Sequence, residues 1–388
     1  MHIGSGEKIG LVDYVPTKDK IIVVNIDKAI SKLPNPKDLL DEILSKGRNF
    51  KIGEFLSSKG IELQNVKKYD VRWNSVMPDR EISTCIKNLY NQTYIPGSAI
   101  KGAIRTAFLW YALKKNKKGD LIKESEDKIR EGLDQMRKEL NRSQSNKKKI
   151  RETWKRRIGK EVEKLVFYGK EVDAKYDIFK TIQISDSNPI DSENVIVSTV
   201  KIMSATRGNY GWKNFRNKRV VPNHKQATPS FVECIKKDVD IEGLNITINE
   251  FLLKNEIMRK IGFNNKQKKG IYNFVDICNE FAKSLIEYEK KFYQDYGLTE
   301  LSNFYKDIES NITENDAFFL HLGWGSGWHG MTIGTLLDNA LLRDLRWEFR
   351  LGKNKPFIHK FPKTRKIVFE DNKPAYPLGW VRVSFENP

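Results

Sequence analysis

The stretch YIPGSAIKGAIRTAFLWYAL, residues 94–113, constrains this chain more than any other. Pro96 and Gly97 break what precedes, and Ser98 can cap. Ile100, Ile104, Ala107, Phe108 and Tyr111 then recur at helical spacing, so a helix with one core face begins here. Its first turn is anomalous. Helix N-termini carry partial positive charge and favour Asp or Glu, yet this one holds Lys101, with Arg105 one turn on. Gly97, Ser98, Ala99, Gly102 and Ala103 leave the backbone uncovered, so a bulky anion can approach the free N–H groups while the two cations flank it. A phosphate would cancel the unfavourable dipole. The competing reading is a helix packed tightly on a sheet, with both cations reaching out to water.

Around this helix the pattern is mixed. KIIVVNI (20–26) reads as a strand, followed by small helices near 36–46 and 52–58. Past the opening helix, residues 114–160 hold 18 Lys or Arg against 8 Asp or Glu, while Ile122, Ile129, Leu133, Met136 and Leu140 keep a helical period. This predicts a basic helical insertion at about 114–170, with Ile150, Trp154 and Ile158 on a second arm; it serves either as a solvated face or as a nucleic-acid contact. Strand patterns follow at 177–185, 195–203, 230–235 and 244–248, then a helical block over 250–310 ended by Gly297. The C-terminal part reads as strand (316–322), helix (332–349), strand (365–369) and strand (379–385). Without regular βαβ alternation, the fold class is α+β. The division expected is a first domain over 1–250 and a second over 251–388.

Charge narrows the partner. The chain carries 69 Lys and Arg against 50 Asp and Glu, a net charge of +19, which points to a polyanion. No apolar run approaches the ~20 residues of a membrane span, which predicts a soluble, cytoplasmic protein. Cys85, Cys234 and Cys278 are odd in number and lack a CxxC spacing, so they predict neither a disulfide framework nor a zinc site.

Two further glycine-rich segments carry chemistry. HIGSGE (2–7) places Gly4 and Gly6 about Ser5, a composition suited to an anion-binding concavity, with His2 able to stack on or bond to a nucleotide. GWGSGWHGMTIG (323–334) follows a strand and opens a helix, and Gly325, Gly327 and Gly330 satisfy GxGxxG. No acidic residue follows at the spacing a dinucleotide site needs. Trp324, Trp328 and His329 instead interleave aromatic faces with backbone donors, which suits single-stranded RNA; the alternative is that both tryptophans anchor the core. The catalytic inventory is thin. Asp173 and Asp186 follow turn patterns, where such residues usually cap the backbone.

Taken in order, HIGSGE, YIPGSAIKGAIRTA, YDIFKTIQISDS, the late glycine-rich loop and the PLGWVRVSF ending resemble the RAMP superfamily of CRISPR proteins. More narrowly, they resemble the Csm-complex RAMP subunit that caps the 3′ end of the crRNA in type III-A effectors. The resemblance implies an RRM-like, ferredoxin-like core with helical insertions and a second, degenerate ferredoxin-like half. It implies a non-catalytic, RNA-binding role in crRNA maturation and antiviral defence, with crRNA, the backbone RAMP subunit and host nucleases as partners and with no cofactor or metal. It places RNA contact at His2, Gly4, Ser5 and Gly6, at Gly97, Ser98, Lys101 and Arg105, and at Gly323, Trp324, Gly325, Ser326 and Gly327. Arg207 and Arg365, in basic loops, are added as RNA contacts. A metal-independent crRNA-processing endoribonuclease is the alternative, for which His2, His321 and His329 are the acid–base candidates. Such chains carry a strand just before the HIGSGE-like motif, where Met1 stands here. The expectation is therefore an internal start, with about ten residues of strand encoded upstream and an uncovered apolar patch beneath the helix of Ile100 to Tyr111.

Overall fold

The computed structural model describes residues 1–115, 120–143, 145–206, 208–312, 317–352 and 361–385. In chain order, β1 (Gly4–Ile9), β2 (Tyr14–Pro16) and β3 (Lys20–Val24) lead into three short helices. These are α1 (Ile26–Ser31), α2 (Lys37–Lys46) and α3 (Ile52–Ser58), and β4 (Lys67–Trp73) returns to the sheet. Leu39, Phe50, Ile52, Phe55 and Leu56 close a satellite core between these helices and β3. After β5 (Ile82–Cys85) comes the diagnostic helix, α4 (Gly97–Lys115).

The insertion forms α5 (Asp120–Arg142), α6 (Lys147–Arg157) and α7 (Lys160–Phe167). The hydrophobic period holds: Ile129, Leu133, Met136, Leu140 and Trp154 are buried. The strand expected over 177–185 is realised over only a third of its length. Asp177 accepts from the Phe179 N–H at 2.9 Å and holds 178–181 as a 3-10 turn, leaving β6 (Ile182–Ile184). Then follow β7 (Val195–Thr206), β8 (Asn209–Asn214), β9 (Arg219–Val221), β10 (Ser230–Ile235) and β11 (Ile246–Ile248). The helical block is α8 (Asn255–Ile261), α9 (Asn265–Tyr272), α10 (Phe274–Asp295) and α11 (Thr299–Ser310). The chain ends through β12 (Ala317–His321), α12 (Gly327–Gly330), α13 (Asn339–Glu348), β13 (Thr364–Glu370), β14 (Lys373–Pro377) and β15 (Trp380–Ser384). The helix expected from 332 starts later because Asp338 caps it, accepting from the N–H groups of Ala340 and Leu341 at 2.8 Å each.

β7 is the spine of the main sheet, whose path runs β1-β5-β10-β7-β4-β3-β2. Its VIVSTVKIM run, rich in β-branched residues, suits a strand covered on both faces. The first half of β7 pairs antiparallel with β10 and, at Ile196 and Val197, parallel with β4. The second half pairs with β13 and β8. A strand from beyond residue 250 is thus built into the sheet of the first 250, and α10 packs on both α4 and β12. Met1 is paired too: its ammonium donates to the Ile235 carbonyl, and its carbonyl accepts from the Ile235 N–H, at 2.7 Å each. The apolar patch expected to lie open under α4 is closed. Ile100, Ile104, Ala107 and Phe108 are all buried.

Candidate nucleic-acid interface

Three segments far apart in sequence meet along one groove of about 1170 Å³. β1 and β5 form one wall, the first turns of α4 another, and the loop after β12 a third. β1 enters through a bulge. Its register against β5 shifts between Gly4 and Lys8, and Gly6 sits at φ +88° with open space where a side chain would stand. Ser5 Oγ is 2.8 Å from Thr84 Oγ1, which pins the bulge to β5.

The N-terminus and the late glycine-rich loop are built against each other. The Trp324 N–H donates to the His2 carbonyl at 3.0 Å, and a Cβ on Gly323 would come within 2.1 Å of that oxygen. At Gly325 the obstacle is the Leu378 carbonyl, 2.0 Å away. Ser326 Oγ donates to the Gly323 carbonyl at 2.8 Å and tightens the turn. Trp324 turns toward the groove with Lys366 Nζ 4.0 Å above its ring. Burial pushes the Lys366 ammonium down to about 8. Trp328 instead wedges against Gly334 and Phe361. Trp324 thus lines the groove while packing on the core beneath it, and Trp328 packs away from the groove.

Beneath the junction lies Glu233, fully buried, accepting from the Cys85 N–H at 2.8 Å and the Tyr69 hydroxyl at 3.0 Å and paired with Lys87. His2 is buried with Nδ1 2.6 Å from the Glu233 carbonyl, and burial lowers its pKa. It is a structural post for the loop rather than an exposed stacking ring.

The start of α4 needs a correction. Ser98, Ala99, Gly102, Ala103 and Thr106 line the groove, whereas Lys101 and Arg105 stand on the flank of the helix with their tips held away from it. Lys101 Nζ donates to the Ile182 carbonyl at 2.7 Å, and burial lowers its pKa. Arg105 binds both Asp177 oxygens, at 2.8 and 3.0 Å, reaches Glu163 at 3.2 Å, and lies 3.7 Å over the Phe167 ring. The anion at the helix start comes from within the chain: Asp186 Oδ1 accepts from the Gly97 N–H at 2.8 Å. A Cβ on Gly97 would meet the Ile184 carbonyl at 2.3 Å, so this glycine serves packing.

Arg365 is likewise internal, donating to Glu289 at 2.5 Å and lying 3.9 Å over Phe292. Arg207 lies outside the described residues. His2, Gly4, Gly6, Ser98, Gly323, Trp324 and Ser326 line the groove. Ser5 is pinned beside it, while Gly327, at φ +65°, stands at the open end of the loop.

One element was missed. β8 and β9 form a hairpin whose turn presents Phe215, 47% exposed, to the groove, followed by exposed Arg216, Lys218 and Arg219. The turn is fixed: the Phe215 N–H donates to Thr228 Oγ1 at 3.0 Å, and the Asn217 N–H to Asn214 Oδ1 at 3.1 Å. The signal was present in the sequence. Residues 195–232 contain seven Lys or Arg and no Asp or Glu. In the insertion, by contrast, Arg130 pairs with Asp338 and Arg137 with Glu348, so part of its charge is internal.

The other two acid–base candidates, His321 and His329, are drawn into the fold. His321 Nε2 lies 2.8 Å from the Leu378 carbonyl, stacked 4.6 Å from Trp380, and His329 is buried with its ring 4.3 Å from Tyr288. Burial pushes both down to about 4. The GxGxxG loop follows β12, which pairs antiparallel with β15 and so is not the parallel strand of a dinucleotide fold. Among the described residues no helix is long and apolar enough to cross a membrane.

Known proteins resemble this chain along nearly its whole length. A Csm5 protein of the CRISPR system of Methanocaldococcus jannaschii is 26% identical over 99% of this chain and 86% of its own length. A Csm5 protein from Streptococcus thermophilus is 23% identical over 98% and 92% respectively. Among solved structures, a chain of a cryo-EM Csm–crRNA–target RNA ternary complex, from a type III-A CRISPR-Cas system, superposes with a TM-score of 0.71. It is 22% identical, with 99% of this chain and 97% of that one covered. The crystal structure of T. onnurineus Csm5 gives a TM-score of 0.59 at the same identity and coverage. Both show the same α+β fold. Nearly all of the groove lining falls within residues 1–329, and over those residues the chain matches the RAMP superfamily model; it belongs to the RAMP superfamily.

Proposed function

We propose that this chain is a non-catalytic RNA-binding subunit of a type III-A CRISPR effector complex, holding the 3′ region of the crRNA and supporting its maturation. The observation that carries this reading is the groove itself. It joins a bulged glycine strand, the open face of a helix start and an aromatic loop, with a cationic hairpin at its mouth. Single strands are held by such combinations of backbone donors, aromatic faces and phosphate-seeking cations. The Csm5 names of the relatives and the crRNA complex containing the structural neighbour support the same assignment. Neighbouring Csm subunits and trimming nucleases would be its protein partners.

The test is binding of labelled single-stranded crRNA across a salt series. Arg216→Gln with Lys218→Gln and Arg219→Gln should weaken binding to all sequences and lower the log–log salt slope by about 0.7 for each phosphate no longer neutralised. A folded triple variant that keeps the wild-type affinity and slope would remove the hairpin from the interface.

A further inference from the structure

On the side of α4 turned from the groove, three short segments build a platform that the groove does not use. At 100° per residue, Phe108 lies about 120° around the helix from Gly102 and about 160° from Thr106. There it packs against α9, whose Gly270 leaves room for the ring: a Cβ would lie 2.5 Å from it. α9 is tied at two points to the 3-10 turn of Glu250–Leu253. Lys268 Nζ donates to the Leu253 carbonyl at 2.8 Å, and the Tyr272 hydroxyl donates to Glu250 at 2.5 Å. α8 joins α9 through Gly262, at φ +83°, and an Asn264–Gln267 capping box. The three segments are thereby fixed to one another.

The outer surface of this platform is cationic. Residues 250–272 carry six Lys or Arg against two carboxylates, Glu250 and Glu256. Lys254, Arg259, Lys260, Lys266 and Lys269 are all exposed. Two aromatic rings stand in the same surface: Phe251 is 58% and Tyr272 42% exposed, with Lys254 Nζ 5.7 Å from the Phe251 ring. Cations alone would suit any polyanion. Exposed rings held rigidly among them add what a strand of unpaired bases uses and an acidic protein surface does not.

The geometry points to a second single-stranded RNA surface here, its cations on phosphates and Phe251 and Tyr272 stacking bases. This rests on the reading of the chain as an RNA binder, but not on the groove. The test uses the full chain with a 4-thiouridine-substituted oligouridine, ultraviolet cross-linking and peptide mapping, beside a salt series. Cross-links are expected in the peptides of Phe251 and Tyr272. Reversing Arg259, Lys260, Lys266 and Lys269 to Glu should abolish them and lower the salt slope by up to about 3. Phe251→Ala with Tyr272→Ala should weaken binding at this surface about tenfold and leave the slope unchanged. Cross-links confined to groove peptides, with an unchanged slope in the charge-reversed chain, would overturn the proposal. So would polyglutamate binding to the platform in place of RNA. Platform cross-links without groove cross-links would overturn the groove reading and leave this one standing, whereas a wild-type chain that binds no RNA would end both.

Discussion

Replacing Arg105 with Ala should act on stability and leave phosphate binding unchanged. Its guanidinium is partly buried between Asp177, Glu163 and the Phe167 ring, so truncation strands a carboxylate and uncovers an aromatic face. A loss on the order of 2 kcal/mol is expected in denaturant unfolding, with the RNA salt slope of the folded fraction intact. A fall in slope at constant stability would return Arg105 to the phosphate role that its place in the sequence suggests. Two groove glycines answer opposite tests. Nothing lies within 4 Å of a Cβ on Gly102, so Gly102→Leu should fold at least as well as wild type while its side chain obstructs the groove and weakens RNA binding. Gly323 combines φ +69° with the 2.1 Å approach to the His2 carbonyl. Gly323→Ala should cost on the order of 3 kcal/mol and break the loop–N-terminus junction. Equal unfolding midpoints for the two variants would contradict this geometry.

Among the elements, the strand–loop–helix unit running from β12 to α12 carries the clearest pH dependence. His321 and His329 have folded pKa values of about 4, below the ordinary 6.5. Between those values the unfolded chain binds more protons than the folded one, so stability rises with pH. The contribution is complete above about 6.5 and is lost as pH falls toward 4, on the order of 3 kcal/mol for each histidine. His329→Phe should keep the contact with Tyr288 and remove about half of that pH dependence, with His321 retaining the rest; an unchanged profile would show that His329 titrates in the folded chain as it does in the unfolded one. The same elements show what could be read from sequence. α4, α5, α10, β7 and β10 were legible because their apolar periods match the faces they bury. β1 reads as a loop because GSGEKI is almost wholly exposed. KKYDVRW of β4 buries only Val71 fully, and ISTC of β5 is too short to show a period. These strands exist through long-range pairing, which leaves little local trace. The groove was legible as three glycine-rich segments, but which face of α4 they shared was not. That depends on partners some eighty residues away: Asp177 and the Ile182 carbonyl draw the two cations off the groove, and Asp186 caps the helix start.

At the scale of the whole molecule, the net charge of +19 and the burial of the histidines bear on whether the chain holds RNA or cuts it. Metal-independent cleavage needs an acid and a base poised near neutrality and within reach of one phosphate. His2 and His321 each have a ring nitrogen engaged by a backbone carbonyl, His329 is buried against Tyr288, and burial lowers the pKa of all three. At pH 7 they are neutral rings, with His2 and His321 built into the walls of the groove and His329 buried behind them. Purified protein should therefore bind labelled crRNA precursor and leave its length unchanged at pH 7 to 8, with magnesium or with EDTA, on denaturing gels. Truncating His2 should then destabilise the junction with Trp324 and lower affinity, because its contact with the Glu233 carbonyl anchors the strand on which the loop rests. Site-specific cleavage that survives EDTA and disappears in His2→Ala or His329→Ala, at unchanged affinity, would instead establish a nuclease built from histidines that open to the groove only when RNA is bound.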